Sequence, residues 1–248
     1  MDDRSVSIKI PKTEKEFRCI AISDIHLGNK CADIDLLKRV YEYASKNNIN
    51  IIFNCGDLLE GVHISDKRSI DNIYGQIDYL IKNYPYDKNI NNFVILGNHD
   101  YHSLHYDGLD LLKNIKNSRY DIIPLGFGQG NVNIKEDQIV LSHELSVIDM
   151  PMIDDNTKIV LVGHGHMMKT KIYDKLLLCL PSLSYVSPDK TKEVIPGFVD
   201  LNIVFDKNKF EYIQAKHMVI TPKIIMASES RCRIKKLFNN NYSDKEKR

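Results

Sequence analysis

The chain has 248 residues, 43% of them hydrophobic, and a formal net charge of +1. This size and composition allow one domain with a full core, and the balanced charge argues against a general attraction to nucleic acid or to anionic membranes. We find no signal-peptide pattern, no apolar stretch near the roughly 18 residues that cross a bilayer, and no CxxC pair among five cysteines, so we expect a cytoplasmic protein that does not enter membranes.

The first half of the chain alternates short apolar runs with helix-like segments. The apolar runs occupy residues 18–23, 49–54 and 92–96. Apolar residues at helical spacing predict helices over residues 34–46, 69–83 and 108–116, the first with Asp33 as N-cap. This alternation is typical of a parallel or mixed sheet with helical connections.

The second half consists mainly of closely spaced β-like runs. They occupy residues 121–124, 131–135, 138–142, 158–162, 171–173, 176–180, 197–205 and 210–215. A mixed sheet early and an antiparallel sheet late suggest two sheets packed face to face with helices outside. We predict one domain over residues 1–227 and a basic, polar and partly disordered tail over residues 228–248.

Five polar clusters follow five of these apolar runs directly. They are Asp24-Ile25-His26, Gly56-Asp57, Gly97-Asn98-His99-Asp100, His143 and Gly163-His164-Gly165-His166. In open sheets, sites gather beyond the carboxyl ends of the strands. Nitrogen and oxygen donors without thiolate suit manganese, iron, zinc or cobalt. Two such ions beside a water molecule indicate hydrolysis of a phosphate ester.

As an ordered set, these clusters resemble those of the calcineurin-like metallophosphoesterases. The resemblance implies an α/β fold, a four-layer αββα sandwich of two mixed sheets, with a dinuclear metal site. It assigns the first metal to Asp24, His26 and His166, and the second to Asn98, His143 and His164. By the same resemblance Asp57 would bridge the two ions, with Mn²⁺ the expected metal and Fe, Zn, Co or Ni as alternatives.

The same resemblance implies the catalytic roles. A hydroxide between the ions would attack phosphorus in line, and His99 would act at the leaving oxygen as general acid or transition-state donor. Glu60 stands where many members carry a second acid, and we expect it to orient the histidine. Gly61 and Asp100 depart from the Ser/Thr protein phosphatases, which have arginine and glutamate there. The motifs look closer to the nuclease and phosphodiesterase branches, including the Mre11/SbcD-type exonucleases.

The expected substrate is therefore a phosphodiester, either a nucleic acid or a small nucleotide. The alternatives are a small-molecule phosphomonoesterase and a non-catalytic binding scaffold, and a homo-oligomer or a protein partner stays open. His102 and His105 are candidates for the substrate pocket, with ordinary surface histidines equally compatible. His63 and His217 are expected at the surface, and the basic cluster 231–236 on a solvated helix face.

Overall fold

A computed structural model describes residues 4–62, 67–144, 153–173, 175–187 and 193–234. The strands are β1 (Ser5–Ile8), β2 (Glu16–Ile22), β3 (Ile51–Cys55), β4 (Asn91–Leu96), β5 (Ile122–Phe127), β6 (Gln129–Ile134), β7 (Asp137–Ser142), β8 (Thr157–Val162), β9 (Lys169–Ile172), β10 (Leu176–Cys179), β11 (Gly197–Asp206), β12 (Lys209–Ile220) and β13 (Ile224–Arg233). The helices are α1 (Ile34–Lys46), α2 (Ile73–Asn83), α3 (Asn98–Asp107) and α4 (Leu111–Ser118).

The strands form two sheets, and both are mixed. The seven-stranded sheet has the order β13-β12-β11-β2-β3-β4-β5, with β2 to β5 parallel and β11 to β13 added antiparallel. The six-stranded sheet has the order β1-β6-β7-β8-β10-β9, with β7, β8 and β10 parallel. An apolar core that includes Phe53, Phe93, Leu141 and Leu161 unites residues of both sheets. The predicted α/β fold with two mixed sheets is confirmed.

The sheets are not divided along the chain as predicted. Strand β11, from the late β-rich part, pairs antiparallel with β2, so that Val199 lies opposite Ala21. Pairing between strands so far apart in sequence depends on which apolar faces are buried together, and the local pattern of each run carries no information about it. The prediction of a separate, late antiparallel sheet is therefore wrong.

Three helices, α1, α2 and α4, cover the outer face of the seven-stranded sheet. Helix α1 has the predicted bounds and its predicted cap, since Asp33 Oδ1 accepts from Asp35 N at 2.9 Å. Helix α2 begins at Ile73, later than predicted, because Asn72 caps it by accepting from Gly75 N at 2.7 Å. On the six-stranded sheet, Ile153 packs with residues of β7, β8 and β10 in a smaller apolar cluster.

The predicted tail begins inside a strand. Ser228–Arg233 form the second half of β13, where Cys232 pairs with Ile213 of β12 and is buried. The basic residues Arg231 and Arg233 thus lie on a strand and not on a helix; residues 235–248 lie outside the described part. His217, predicted at the surface, is only 2% exposed on β12, and burial lowers its pKa.

His63 belongs to the residues that the structure does not describe. Among the helices of the described ranges, none is both long enough and apolar enough to cross a membrane.

Candidate metal centre

The five polar clusters meet at one edge of the molecule. Strands β2, β3 and β4 are parallel neighbours in one sheet, and β7 and β8 are parallel neighbours in the facing sheet. Each cluster follows the carboxyl end of its strand, so the loops of both sheets converge there. The approach is close: a Cβ at Gly97 would overlap Asp57 Oδ1 and lie 2.6 Å from His143 Cε1.

The first group of donor atoms belongs to Asp24, His26 and His166. Asp24 Oδ1 lies 3.3 Å from His166 Nε2 and 3.9 Å from His26 Nε2, and the two imidazole nitrogens lie 3.3 Å apart. An ion with bonds of about 2.1 Å separates neighbouring ligand atoms by about 3.0–3.4 Å. The buried Asp24 Oδ1 receives no hydrogen bond from any described residue. These atoms fit a divalent cation.

The second group belongs to Asn98, His143 and His164, with Asp57 beside it. Asn98 Oδ1 lies 2.8 Å from His143 Nε2 and 3.1 Å from His164 Nδ1. Asp57 Oδ2 lies 3.2 Å from His143 Nε2 and 3.9 Å from His26 Nε2. One carboxylate oxygen of Asp57 thus lies between the two groups, where a bridging ligand belongs.

The backbone is strained where these ligands stand. Eight non-glycine residues of the described chain have positive φ, and five of them are predicted ligands: Asp24, His26, Asp57, His164 and His166. Left-handed backbone costs a non-glycine residue on the order of 1–3 kcal/mol and concentrates at functional sites. The fold thus holds the backbone of these residues in conformations that are unfavourable in an isolated chain.

Backbone carbonyls fix the tautomers of two of these histidines. The Nδ1–H of His143 donates to Cys55 O at 2.8 Å, and that of His166 donates to Val186 O at 2.8 Å. A carbonyl can only accept, so each ring carries a proton on Nδ1 and turns Nε2 inward, where a cation can take the place of a proton on that nitrogen. For His26, the Nδ1 atom lies 3.1 Å from Glu60 Oε2. Outer partners of this kind are typical of histidines that bind metal.

Charge is concentrated at this edge. Burial raises the pKa of Asp57, but the charge and the hydrogen bond of His143, together with the charges of His26 and His99, outweigh burial, and the pKa is lowered. The reverse holds for His143: burial lowers its pKa, but the charge and the hydrogen bond of Asp57, together with the charge of Asp24, outweigh burial, and the pKa is raised overall. The α3 N-terminus adds to this, because His99 N donates to Asp57 Oδ1 at 3.0 Å. Asp57 is therefore an anion held ready for cations.

The predicted catalytic residues lie beside the ligands. His99 donates its Nδ1–H to Glu60 O at 2.7 Å, and its ring packs edge-on against His26 with centroids 4.7 Å apart. A ring nitrogen of His99 also lies within 4.8 Å of a ring nitrogen of His26 and of a carboxylate oxygen of Asp57. The Glu60 carboxylate, 1% exposed, contacts His26 as described and lies 3.8 Å from His99 Nδ1.

His102 and His105 are not among these donor groups. They lie further along α3, where His102 packs against Tyr106 with centroids 5.2 Å apart and His105 stacks on Tyr101 with centroids 5.7 Å apart. Helical geometry places His102 one turn beyond Asn98 and His105 two turns beyond it. Their role towards a substrate stays a prediction.

Two carboxylates at the site were not predicted to act there. Asp100, 1% exposed, accepts from Gly97 N, Leu58 N and Leu59 N, and so joins the loops after β3 and β4. Burial, and then the charge of Asp57, raise the pKa of Asp100 to about 7. Glu144 Oε1 lies 3.7 Å from His164 Nδ1. The sequence contains a signal for Asp100, which is the last residue of the motif Gly97-Asn98-His99-Asp100. For Glu144 the only signal was its position directly after His143.

Comparison with known proteins gives one curated relative. An uncharacterized metallophosphoesterase of Campylobacter jejuni, Cj0846, is 24% identical over 127 residues, which is 50% of this chain and 31% of the relative. The match therefore spans about a third of that protein.

Solved structures share the fold. Zinc-bound Vps29 from Entamoeba histolytica matches with a TM-score of 0.51 and 14% identity over 88% of this chain and 99% of Vps29. The phosphoesterase Yfce from E. coli matches with a TM-score of 0.52 and 13% identity over 86% of this chain and 98% of Yfce. At such identities the likeness concerns the fold alone.

The family model of the calcineurin-like phosphoesterases matches residues 17–177, which contain all seven predicted ligands. The chain belongs to the calcineurin-like phosphoesterase family.

Proposed function

We propose that this chain hydrolyses phosphodiesters with two divalent metal ions held by the two donor groups. The observation that carries the proposal is the position of Asp57 Oδ2, 3.2 Å from His143 Nε2 in one group and 3.9 Å from His26 Nε2 in the other. A shared carboxylate oxygen is what a pair of ions a few ångströms apart needs.

The chain's own residues have distinct tasks in this proposal. Asp24, His26 and His166 would hold one ion, Asn98, His143 and His164 would hold the other, and Asp57 would contact both. When bound, two such cations supply activation of a water molecule and neutralise charge on the phosphoryl oxygens.

His99 handles the leaving group. Because Nδ1 donates to Glu60 O, the ring turns Nε2 away from that carbonyl, and the imidazolium can give the Nε2 proton to the departing oxygen. Glu60 would orient His99 through its backbone oxygen, while its carboxylate lies closer to His26 Nδ1, at 3.1 Å, than to His99 Nδ1, at 3.8 Å.

Manganese is our first choice of metal. The donors are imidazole nitrogens and carboxylate or amide oxygens, which also accept Fe, Zn, Co or Ni. Metal identity therefore has to be measured by adding each ion back to stripped protein.

The substrate is proposed as a diester because Gly61 and Asp100 depart from the protein phosphatases. The comparisons lend no support to the finer assignment to Mre11/SbcD-type nucleases, so we retain the broader class. A small nucleotide suits a net charge of +1 better than a polymer does. The proposal also includes His102 and His105 as residues of the substrate pocket. It further includes a cytoplasmic location and a homo-oligomer or a protein partner.

Hydrolysis of bis-p-nitrophenyl phosphate and p-nitrophenyl phosphate tests it. Metal-stripped protein receives Mn²⁺, Fe²⁺, Zn²⁺, Co²⁺ or Ni²⁺, and we expect faster diester than monoester cleavage. Asp57→Asn should abolish turnover, because the bridging charge is lost. The matched control is Asp137→Asn: Asp137 is also buried and accepts from Phe210 N at 2.5 Å, but in β7 away from the donor groups.

Other outcomes select the alternatives. Faster monoester cleavage indicates a phosphomonoesterase. Absence of turnover in protein that binds two ions per chain favours a binding scaffold. Inhibition by oligonucleotides that weakens steeply with salt indicates a nucleic-acid substrate.

A further inference from the structure

A buried side chain outside every recognised motif connects the loops of the metal centre. Gln76, on α2, is 0% exposed. Its Oε1 accepts from Gly61 N at 2.9 Å, and its Nε2 donates to Gly61 O at 3.1 Å and to Ile70 O at 2.9 Å. One side-chain amide thus satisfies both polar groups of Gly61, the residue directly after Glu60.

The loop after His26 packs on the same side chain. Gly28 has φ +99°, and a Cβ there would lie 2.6 Å from Gln76 Cδ. Gly28 O in turn accepts from Ser69 N at 2.7 Å. The absence of a side chain at Gly28 leaves the space that the Gln76 amide occupies, so the two loops that carry His26 and Glu60 are held against one another.

A continuous chain of hydrogen bonds runs from Gln76 to His99. His99 Nδ1–H donates to Glu60 O, and the same peptide group donates through Gly61 N–H to Gln76 Oε1. Hydrogen bonds on both ends of a peptide group polarise it and strengthen each other. The acceptor on Gly61 N–H therefore makes Glu60 O a better acceptor for the His99 proton.

From this geometry we infer that Gln76 is a positioning residue, which fixes the Nδ1–H tautomer and the orientation of His99 through the Glu60–Gly61 peptide. The expected effect of Gln76 on turnover rests on the proposed function, whereas its expected effect on the His99 ring does not. Removing the amide leaves the Gly61 N–H and O without their partners in a buried place, so the peptide is free to turn away from His99.

The test compares Gln76→Met with Gln138→Met. Gln138 is also buried, with Nε2 donating to Asn133 Oδ1 at 2.9 Å and Oε1 accepting from Thr157 Oγ1 at 2.8 Å, but it lies on β7 in the other sheet. Methionine approximates the volume of glutamine in both places. Both changes remove buried side-chain hydrogen bonds, three at Gln76 and two at Gln138, but only those of Gln76 lead to the peptide group that holds His99.

Two measurements are made on each variant. Long-range ¹H–¹⁵N spectra of the histidine rings, recorded on zinc-loaded protein without substrate, report the His99 tautomer. Steady-state kinetics on bis-p-nitrophenyl phosphate report kcat and KM. We expect Gln76→Met to lose the pure Nδ1–H pattern of His99 and about 10–100-fold in kcat with KM nearly constant. Gln138→Met should keep both.

An unchanged His99 pattern in folded Gln76→Met overturns the inference, and so does a kcat within twofold of the wild type. If wild-type protein shows no turnover, the proposed function fails while the spectra still decide the role of Gln76. If Gln76→Met does not fold, Gln76→Leu, which also removes the amide, takes its place and is judged by the same two criteria.

Discussion

Asp100 allows the energetic role of a loop contact at the metal centre to be measured. Its Oδ2 accepts from Gly97 N at 2.9 Å and from Leu58 N at 3.1 Å, and its Oδ1 accepts from Leu59 N at 2.9 Å. Asp100→Asn can place its single oxygen at the Oδ2 position and keep two of these bonds. Asp100→Ala keeps none. Both variants remove the same charge.

The two variants therefore differ by two buried hydrogen bonds, and also by the NH2 group of the asparagine variant, which would face Leu59 N–H. A buried donor that loses its partner costs about 1–3 kcal/mol, so Asp100→Ala should be less stable than Asp100→Asn by about 2–6 kcal/mol. The free energy of unfolding is measured by urea denaturation in EDTA, so that metal binding does not contribute.

Equal stabilities of the two variants, within 1 kcal/mol and at equal m-values, would refute this reasoning. Such a result would mean that water or the moving loops satisfy the three N–H groups once the side chain is short. The comparison with wild type is less direct, because both variants also remove a carboxyl whose pKa is raised by burial.

Three further predictions concern single residues. His99→Ala should keep two metal ions per chain but lose about 10²–10⁴ in kcat; loss of metal, measured by elemental analysis, contradicts its role as proton donor. Gly97→Ala should bind metal about 10–100-fold more weakly, because its Cβ would displace Asp57; wild-type affinity in a calorimetric titration would show that the loops can move apart. His217 has a lowered pKa in the folded protein, so as pH falls through about 6.5 the unfolded chain takes up a proton first and stability drops. Wild type should lose more unfolding free energy than His217→Gln between pH 7 and pH 5.5, and parallel losses would argue against this.

The convergence of the five polar clusters was more predictable than the order of the strands in the two sheets. Each ligand cluster stands at the end of an apolar run, and parallel strands bring such ends to a common edge, so local sequence contains the necessary information. The sheet order depends on pairings such as β11 with β2 and β1 with β6, which join distant segments. No local pattern encodes those partners.

Two local errors have specific physical causes. Helix α3 has little amphipathic character, since only Asp100 and Ser103 are buried on it, and so its sequence did not predict a helix. Strand β13 is an edge strand with a mostly exposed, polar sequence and resembles a tail. Gln76 had no signal at all, because a buried glutamine on a helix is recognised only by what it contacts.

The supports of the first donor group extend beyond the segment that identifies the family. Val186 O holds His166, Ser182 Oγ donates to Asp24 O at 2.9 Å, and Leu183 N donates to Ser23 O at 2.9 Å. All three follow residue 177, where the family match ends. A chain ending there would contain every recognisable motif and yet leave Asp24 and His166 unsupported. During synthesis on the ribosome, the centre can therefore be completed only after the chain has been extended from the last motif, at His166, to Val186.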